Sequence, residues 1–157
     1  MSKKNVGEGN VIIEKDYDEK DFTGNKNLAE FLAKENGDDV RIRKHVQKDN
    51  VSNPELEING RLADRKTPNH NLYKNVSSPI KNLTAKAQKQ GAIHTVIELS
   101  RKYDKESIVK GVKDAFFYAK KMEIIDIILK NKKIARITRK NYENNTIFKV
   151  LSDNWID

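Results

Sequence analysis

ELEINGRLADRKTP, residues 55–68, decides how this chain is read. Asn59-Gly60 stands between two alternating runs, which predicts a hairpin closed by a two-residue type I′ turn. Counting outward pairs Ile58 with Arg61, Glu57 with Leu62, Leu56 with Ala63 and Glu55 with Asp64. Side chains alternate faces, so Glu55, Glu57, Leu62, Asp64 and Lys66 share one face, and Leu56, Ile58, Arg61, Ala63 and Arg65 the other. Carboxylates directly opposite each other repel. They are tolerable with a cation between them or with both in water. The first case makes Glu55 and Asp64 oxygen ligands of a divalent ion. Lys66 then stabilises charge on an attacked phosphate, while the metal activates water. In the second case the hairpin is an exposed surface whose Lys66 neutralises its acids. A one-residue slip in register would separate Asp64 from Glu55.

Outward from the hairpin, the punctuation is clear. NLAEFLAKENG (27–37) reads as a helix with Leu28, Phe31 and Leu32 on one face and Gly37 past its end. DVRIRKHV (39–46) alternates as a half-buried strand with a basic outer face. SSPIKNLTAKAQKQG (77–91) has a serine cap, Pro79 at the first helical position and Gly91 beyond the end, and its apolar seam is Ile80, Leu83 and Ala87. AIHTVIELS (92–100) is nearly continuous and β-branched, as expected of an interior strand. DKESIVKGVKDAFFYAKK (104–121) is a helix capped by Asp104. EIIDIILKNKKIARITR (123–139) divides around Asn131 into a second hairpin. VIIEK (11–15) and TIFKV (146–150) are further strand candidates. The pattern predicts an α/β fold with a mixed sheet flanked by about three helices. It places a flexible N-terminal segment at 1–25 and a single domain at 26–157.

Of 157 residues, 31 are Lys or Arg and 23 Asp or Glu, a net charge of +8. That charge suits a polyanionic partner such as nucleic acid, and equally serves solubility. The absence of cysteine excludes disulfides, thiolate metal sites and cysteine nucleophiles. No apolar run approaches the roughly 20 residues of a membrane span, and the N-terminus lacks an apolar signal core. The chain as given is expected in a cytoplasm.

NPELEINGRLADRKTP, followed by a Lys-rich helix with KAQKQGA and then HTVIELS, resembles the nuclease toxin domains at the C-termini of contact-dependent growth inhibition (CdiA-type) proteins. The likeness spans about residues 26–130. The hairpin also resembles the PD-(D/E)xK nuclease signature, with Pro54-Glu55 as the first pair and Asp64-Arg65-Lys66 as D-x-K. Glu57 is the alternative to Glu55, and Glu30 or Glu35 matches the glutamate such folds take from an upstream helix, with Glu30 preferred. The resemblance implies a toxin that cuts tRNA or DNA in a competing cell, with a divalent metal (Mg or Zn) on Glu55 and Asp64. Glu30, Lys66 and Thr67 would complete the site, and an acidic immunity protein would silence it. The chain starts with its own Met and carries no export module, which suits an excised domain or a stand-alone protein of a mobile element.

The alternative is a metal-independent ribonuclease of the barnase/EndoU/colicin-like α+β type, with His70 or His45, Lys66 and Thr67 in the catalytic roles. No two of His45, His70 and His94 have zinc-ligand spacing, and His94, in an apolar strand, reads as a satisfied core residue. Arg41, Arg43, Arg65, Lys81, Lys86 and Lys89, with the cluster Arg101, Lys102 and Lys105, can follow a nucleic-acid backbone. Tyr73 can stack on a base. A non-catalytic nucleic-acid-binding protein is the rival from another class.

Overall fold

The computed structural model describes residues 8–17, 19–44, 54–69 and 74–155. His45, His70 and Tyr73 lie outside the described residues.

One sheet carries the fold. Its strands are β1 (Val11–Ile13), β2 (Val40–Ile42), β3 (Leu56–Ile58), β4 (Arg61–Lys66), β5 (His94–Glu98), β6 (Ile124–Ile128) and β7 (Ile134–Thr138). They lie side by side in chain order. β1–β2, β4–β5 and β5–β6 are parallel, and the other neighbours are antiparallel. The parallel steps are bridged by α1 (Phe22–Asn36), α2 (Ser77–Lys89) and α3 (Lys105–Tyr118). Two short helices, α4 (Arg139–Glu143) and α5 (Ile147–Asp153), follow β7. This is the expected mixed sheet with helical flanks.

The central hairpin forms in the predicted register: Leu56 opposite Ala63, Glu57 opposite Leu62, Ile58 opposite Arg61. Asn59 and Gly60 both adopt positive φ, 50° and 84°, as a type I′ turn demands. Leu56, Ile58 and Ala63 join Leu28, Ala29 and Leu32 of α1 in a core on one face of the sheet. On the other face Ile97, Ile125 and Ile127 pack against Ile80 of α2 and Ile108, Val112 and Phe116 of α3. β5, β6 and β7 thus send alternate residues to two helical layers. α2 and α3 approach closely because Gly111 has no side chain: a Cβ there would lie 2.9 Å from the Ser77 backbone.

Several boundaries differ from expectation. α1 starts at Phe22 and β1 belongs to the sheet, so ordered structure begins ahead of residue 26. TIFKV is not a strand. It opens α5, in which Ile147 and Leu151, four apart, are buried. α2 begins without a side-chain cap, although a serine cap is expected there. Asn75 Oδ1 instead accepts from the Ser77 amide at 2.8 Å. Asp104 caps α3 as expected, accepting from Ser107 N.

Candidate nucleic-acid cleavage site at the end of strand β4

Strands β4, β5 and β6 run parallel, so their C-terminal ends share one edge of the sheet, where open α/β sheets place their ligand sites. At that edge Lys66 Nζ stands 2.9 Å from Asp64 Oδ2. The two side chains are only 17% and 14% exposed, so water screens the pair weakly. Lys66 also donates to Gln90 Oε1, just past α2, at 3.2 Å. The contact with Asp64 pairs charges without hydrogen-bond geometry, and Oδ2 is a buried oxygen with no hydrogen-bond partner.

The neighbouring side chain in sequence, Arg65, points to the opposite layer. Its Nε donates to Asn25 Oδ1 of α1 at 3.1 Å. Asn25 Nδ2 in turn donates to Glu55 Oε2 at 2.6 Å. The guanidinium lies against Gly24, where a Cβ would come 2.3 Å from Nη2; a glycine inside the helix leaves space for it. The hairpin end therefore holds two groups back to back, Asp64–Lys66–Gln90 on the α2 side and Glu55–Asn25–Arg65 on the α1 side.

Glu55 lies just before β3, and its carboxylate is held by α1, whereas the predicted alternation put it on the Asp64 face. Register places Glu57 beside Arg41 of β2. Glu30 is exposed and lies 3.8 Å from Lys26; the residue of α1 that reaches the hairpin is Asn25, five positions earlier. Thr67 is exposed past the end of β4. Arg41 pairs with Glu14 at 3.5 Å, and Arg43 Nη1 donates to the Pro54 carbonyl. Lys86 and Lys89 are exposed, and Lys81 lies over the Tyr118 ring. Asn25 and Gln90 had no motif to mark them. The signals available were Gly24 within a helix and a polar residue at the end of the lysine-rich helix.

Among the described residues no three His, Asp or Glu side chains gather into a metal cage. Mg²⁺ needs no such cage: it uses one or two carboxylates and completes its shell with water and substrate phosphates. An all-oxygen donor set fits that ion better than zinc.

Behind the site a buried ionic chain ties the sheet together. His94 Nε2 donates to Asp126 Oδ2 at 2.7 Å. Arg136 donates to both Asp126 oxygens and, bidentate, to Asp38, all at 2.8 Å. Asn59 Nδ2 adds a 2.8 Å bond to Asp38, so the hairpin turn is anchored to the same chain. Burial pushes the Asp126 carboxyl up, but the charge of His94 and the bonds from Arg136 and His94 outweigh it and hold the group at about 2. His94 is buried in the core as its apolar strand implied, but only one ring nitrogen is bonded: Nδ1 is buried without a hydrogen-bond partner.

The family model of the contact-dependent growth inhibition CdiA C-terminal domain matches residues 52–134, more than half of the 157 residues. The chain belongs to the CdiA C-terminal domain family. The matched span runs from the first hairpin to the start of β7, and so includes the Asp64–Lys66 pair. Membership gives the domain its role in growth inhibition. A solved structure, described as a CdiA-CT/CdiI toxin and immunity complex from Burkholderia pseudomallei, is similar with a TM-score of 0.56. The similarity covers 74% of this chain and 83% of that one at 21% identity. At that identity it speaks for the fold of this CdiA C-terminal domain. No protein with a curated description matches. Among the described residues no helix is long and apolar enough to cross a membrane.

Proposed function

We propose that this CdiA C-terminal domain is a nuclease toxin that hydrolyses phosphodiester bonds of tRNA or DNA after delivery into a competing cell. The observation that carries the reading is the shielded Asp64–Lys66 ion pair at the C-terminal end of β4, held without hydrogen-bond geometry. The D-x-K spacing puts acid and amine on one face. Gln90 steadies the ammonium from the other side, so it is held in place before substrate arrives. An ammonium fixed in a weakly screened position stabilises the charge that grows on an attacked phosphate. Asp64 alone would hold a divalent ion, its shell completed by water and substrate phosphates; Glu55, turned to the α1 side by Asn25, is too far round the sheet to share it. When bound, that ion supplies polarisation of the phosphodiester and a water of lowered pKa. Arg65, fixed by Asn25, offers a cation to the backbone phosphates.

The net charge of +8 favours both a nucleic-acid substrate and an acidic immunity protein, since opposite potentials speed and orient association. The test is incubation of the chain with total tRNA and with plasmid DNA, with Mg²⁺ or with EDTA, read on a gel. Metal-dependent cleavage of either supports the proposal. Full activity in EDTA would move the chemistry to a metal-independent site, and no cleavage of either substrate would leave a binding protein.

A further inference from the structure

Beside the proposed cleavage site the sheet edge carries a second feature. A cavity of about 370 Å³ opens at the C-terminal ends of β5 and β6, between the start of α3 and the β6–β7 turn. Its floor is apolar, made by Leu99, Ile108 and Leu129, and one wall is the indole of Trp155. Lys102 and Lys130, both exposed, stand on its rim, and among the described residues no acidic side chain lines it. Lys105 Nζ lies 5.2 Å from the centre of the Trp155 ring, adding positive charge beside the wall. An apolar slot with an aromatic wall and a cationic rim suits a ligand that is flat and apolar in the middle and anionic at its edges.

The cavity opens on the same face of the sheet as Lys66. Lys66 pairs with Ile97 across β4 and β5, and Leu99 follows Ile97 by two, on the same face. Strand rise and spacing put the Lys66 and Leu99 backbones roughly 8 Å apart. One single strand can reach both places.

We propose that this cavity is a base-binding subsite, in which an unstacked base of the substrate enters against Trp155 while its flanking phosphates meet Lys102 and Lys130. The inference rests on the nucleic-acid reading above. Aromatic side chains and basic grooves recognise single strands in this way, and the occupant follows from the cationic rim and the flat aromatic wall.

Trp155 is the only tryptophan of the chain, so its fluorescence reports on this cavity alone. The experiment titrates the full-length Asp64→Asn chain with a short single-stranded RNA, and with an abasic oligomer of equal length and charge. The expected result is saturable quenching by the RNA and at least tenfold less by the abasic oligomer. The double variant Lys102→Glu, Lys130→Glu, checked by thermal melting to be folded, should bind at least tenfold more weakly. Its salt dependence should be shallower by about two phosphate contacts. Equal quenching by the abasic oligomer, or by octanoate, would overturn base recognition, as would a wild-type chain that cleaves RNA with no change in Trp155 emission. Quenching by RNA without any cleavage would leave the subsite standing and remove the nuclease.

Discussion

At the scale of single residues, Lys66 and Asp126 separate two uses of charge. Lys66 lies in a shielded pair at a sheet edge, where its ammonium is available to an incoming phosphate. Lys66→Ala should lower cleavage by roughly 100-fold or more. The change also leaves the shielded Asp64 without its cation, which should cost about 1–3 kcal/mol; kinetics and urea midpoints on the same preparation separate the two effects. Asp126 is buried and serves the fold. Its carboxyl is depressed from the ordinary 3.8 to about 2, so the unfolded chain binds the proton more readily. The stabilisation is complete above about pH 4 and is lost as pH falls towards 2, about 2 kcal/mol in all. Urea midpoints between pH 2 and 5 should show that slope, and Asp126→Asn should flatten it; an unchanged slope would exclude Asp126 as its source. D-x-K was legible because its parts are two residues apart on one strand. Asn25 and Gln90 were not, because each meets the hairpin only through the folding of a helix onto it.

At the scale of elements, locally coded structure read well. The Asn59-Gly60 turn fixed the register of β3 and β4 through its own backbone preference, and Asp104 and the glycine after α2 marked helix ends. TIFKV misread because β-branched and aromatic residues suit strands in isolation. Extending the segment to Leu151 exposes the i, i+4 pair with Ile147 that buries one helical face. The turn to α1 also altered the Glu55 expectation: alternation governs paired strand residues, and Glu55 falls just outside the ladder. Gly111 is an element-scale contact, since α2 and α3 meet there backbone to backbone, Gly111 against Ser77. Gly111→Val should cost about 1–3 kcal/mol by forcing those helices apart. A melting temperature equal to the parent would show that the helices adjust without loss.

At the scale of the whole molecule, the Asp38–Arg136 pair joins residues 98 apart in sequence. Composition and periodicity carry no record of such a pair, which arises only when α1 and β7 cover the same face of the sheet. Arg136 offsets two buried carboxylates and links the loop after α1, the hairpin turn and the last two strands. Removing it leaves buried Asp38 without a cation and Asp126 with His94 alone, so Arg136→Ala should destabilise by about 3–5 kcal/mol. Replacing Arg136 and both acids by apolar residues of similar volume should cost much less; equal losses would show that packing, rather than unpaired charge, sets the penalty. The excess positive charge lies outside this chain, on surfaces such as α2 and the rim of the cavity beside Trp155, where it is free to meet a polyanion.

The central claim is that phosphodiester cleavage happens at the end of β4. The most direct measurement is single-turnover cleavage of tRNA and of plasmid DNA in Mg²⁺ by the parent chain and by Asp64→Asn, with melting curves of both. The account predicts cleavage by the parent, a fall of at least about 100-fold in the variant, and superimposable melting. Undiminished cleavage by a folded Asp64→Asn chain would contradict it.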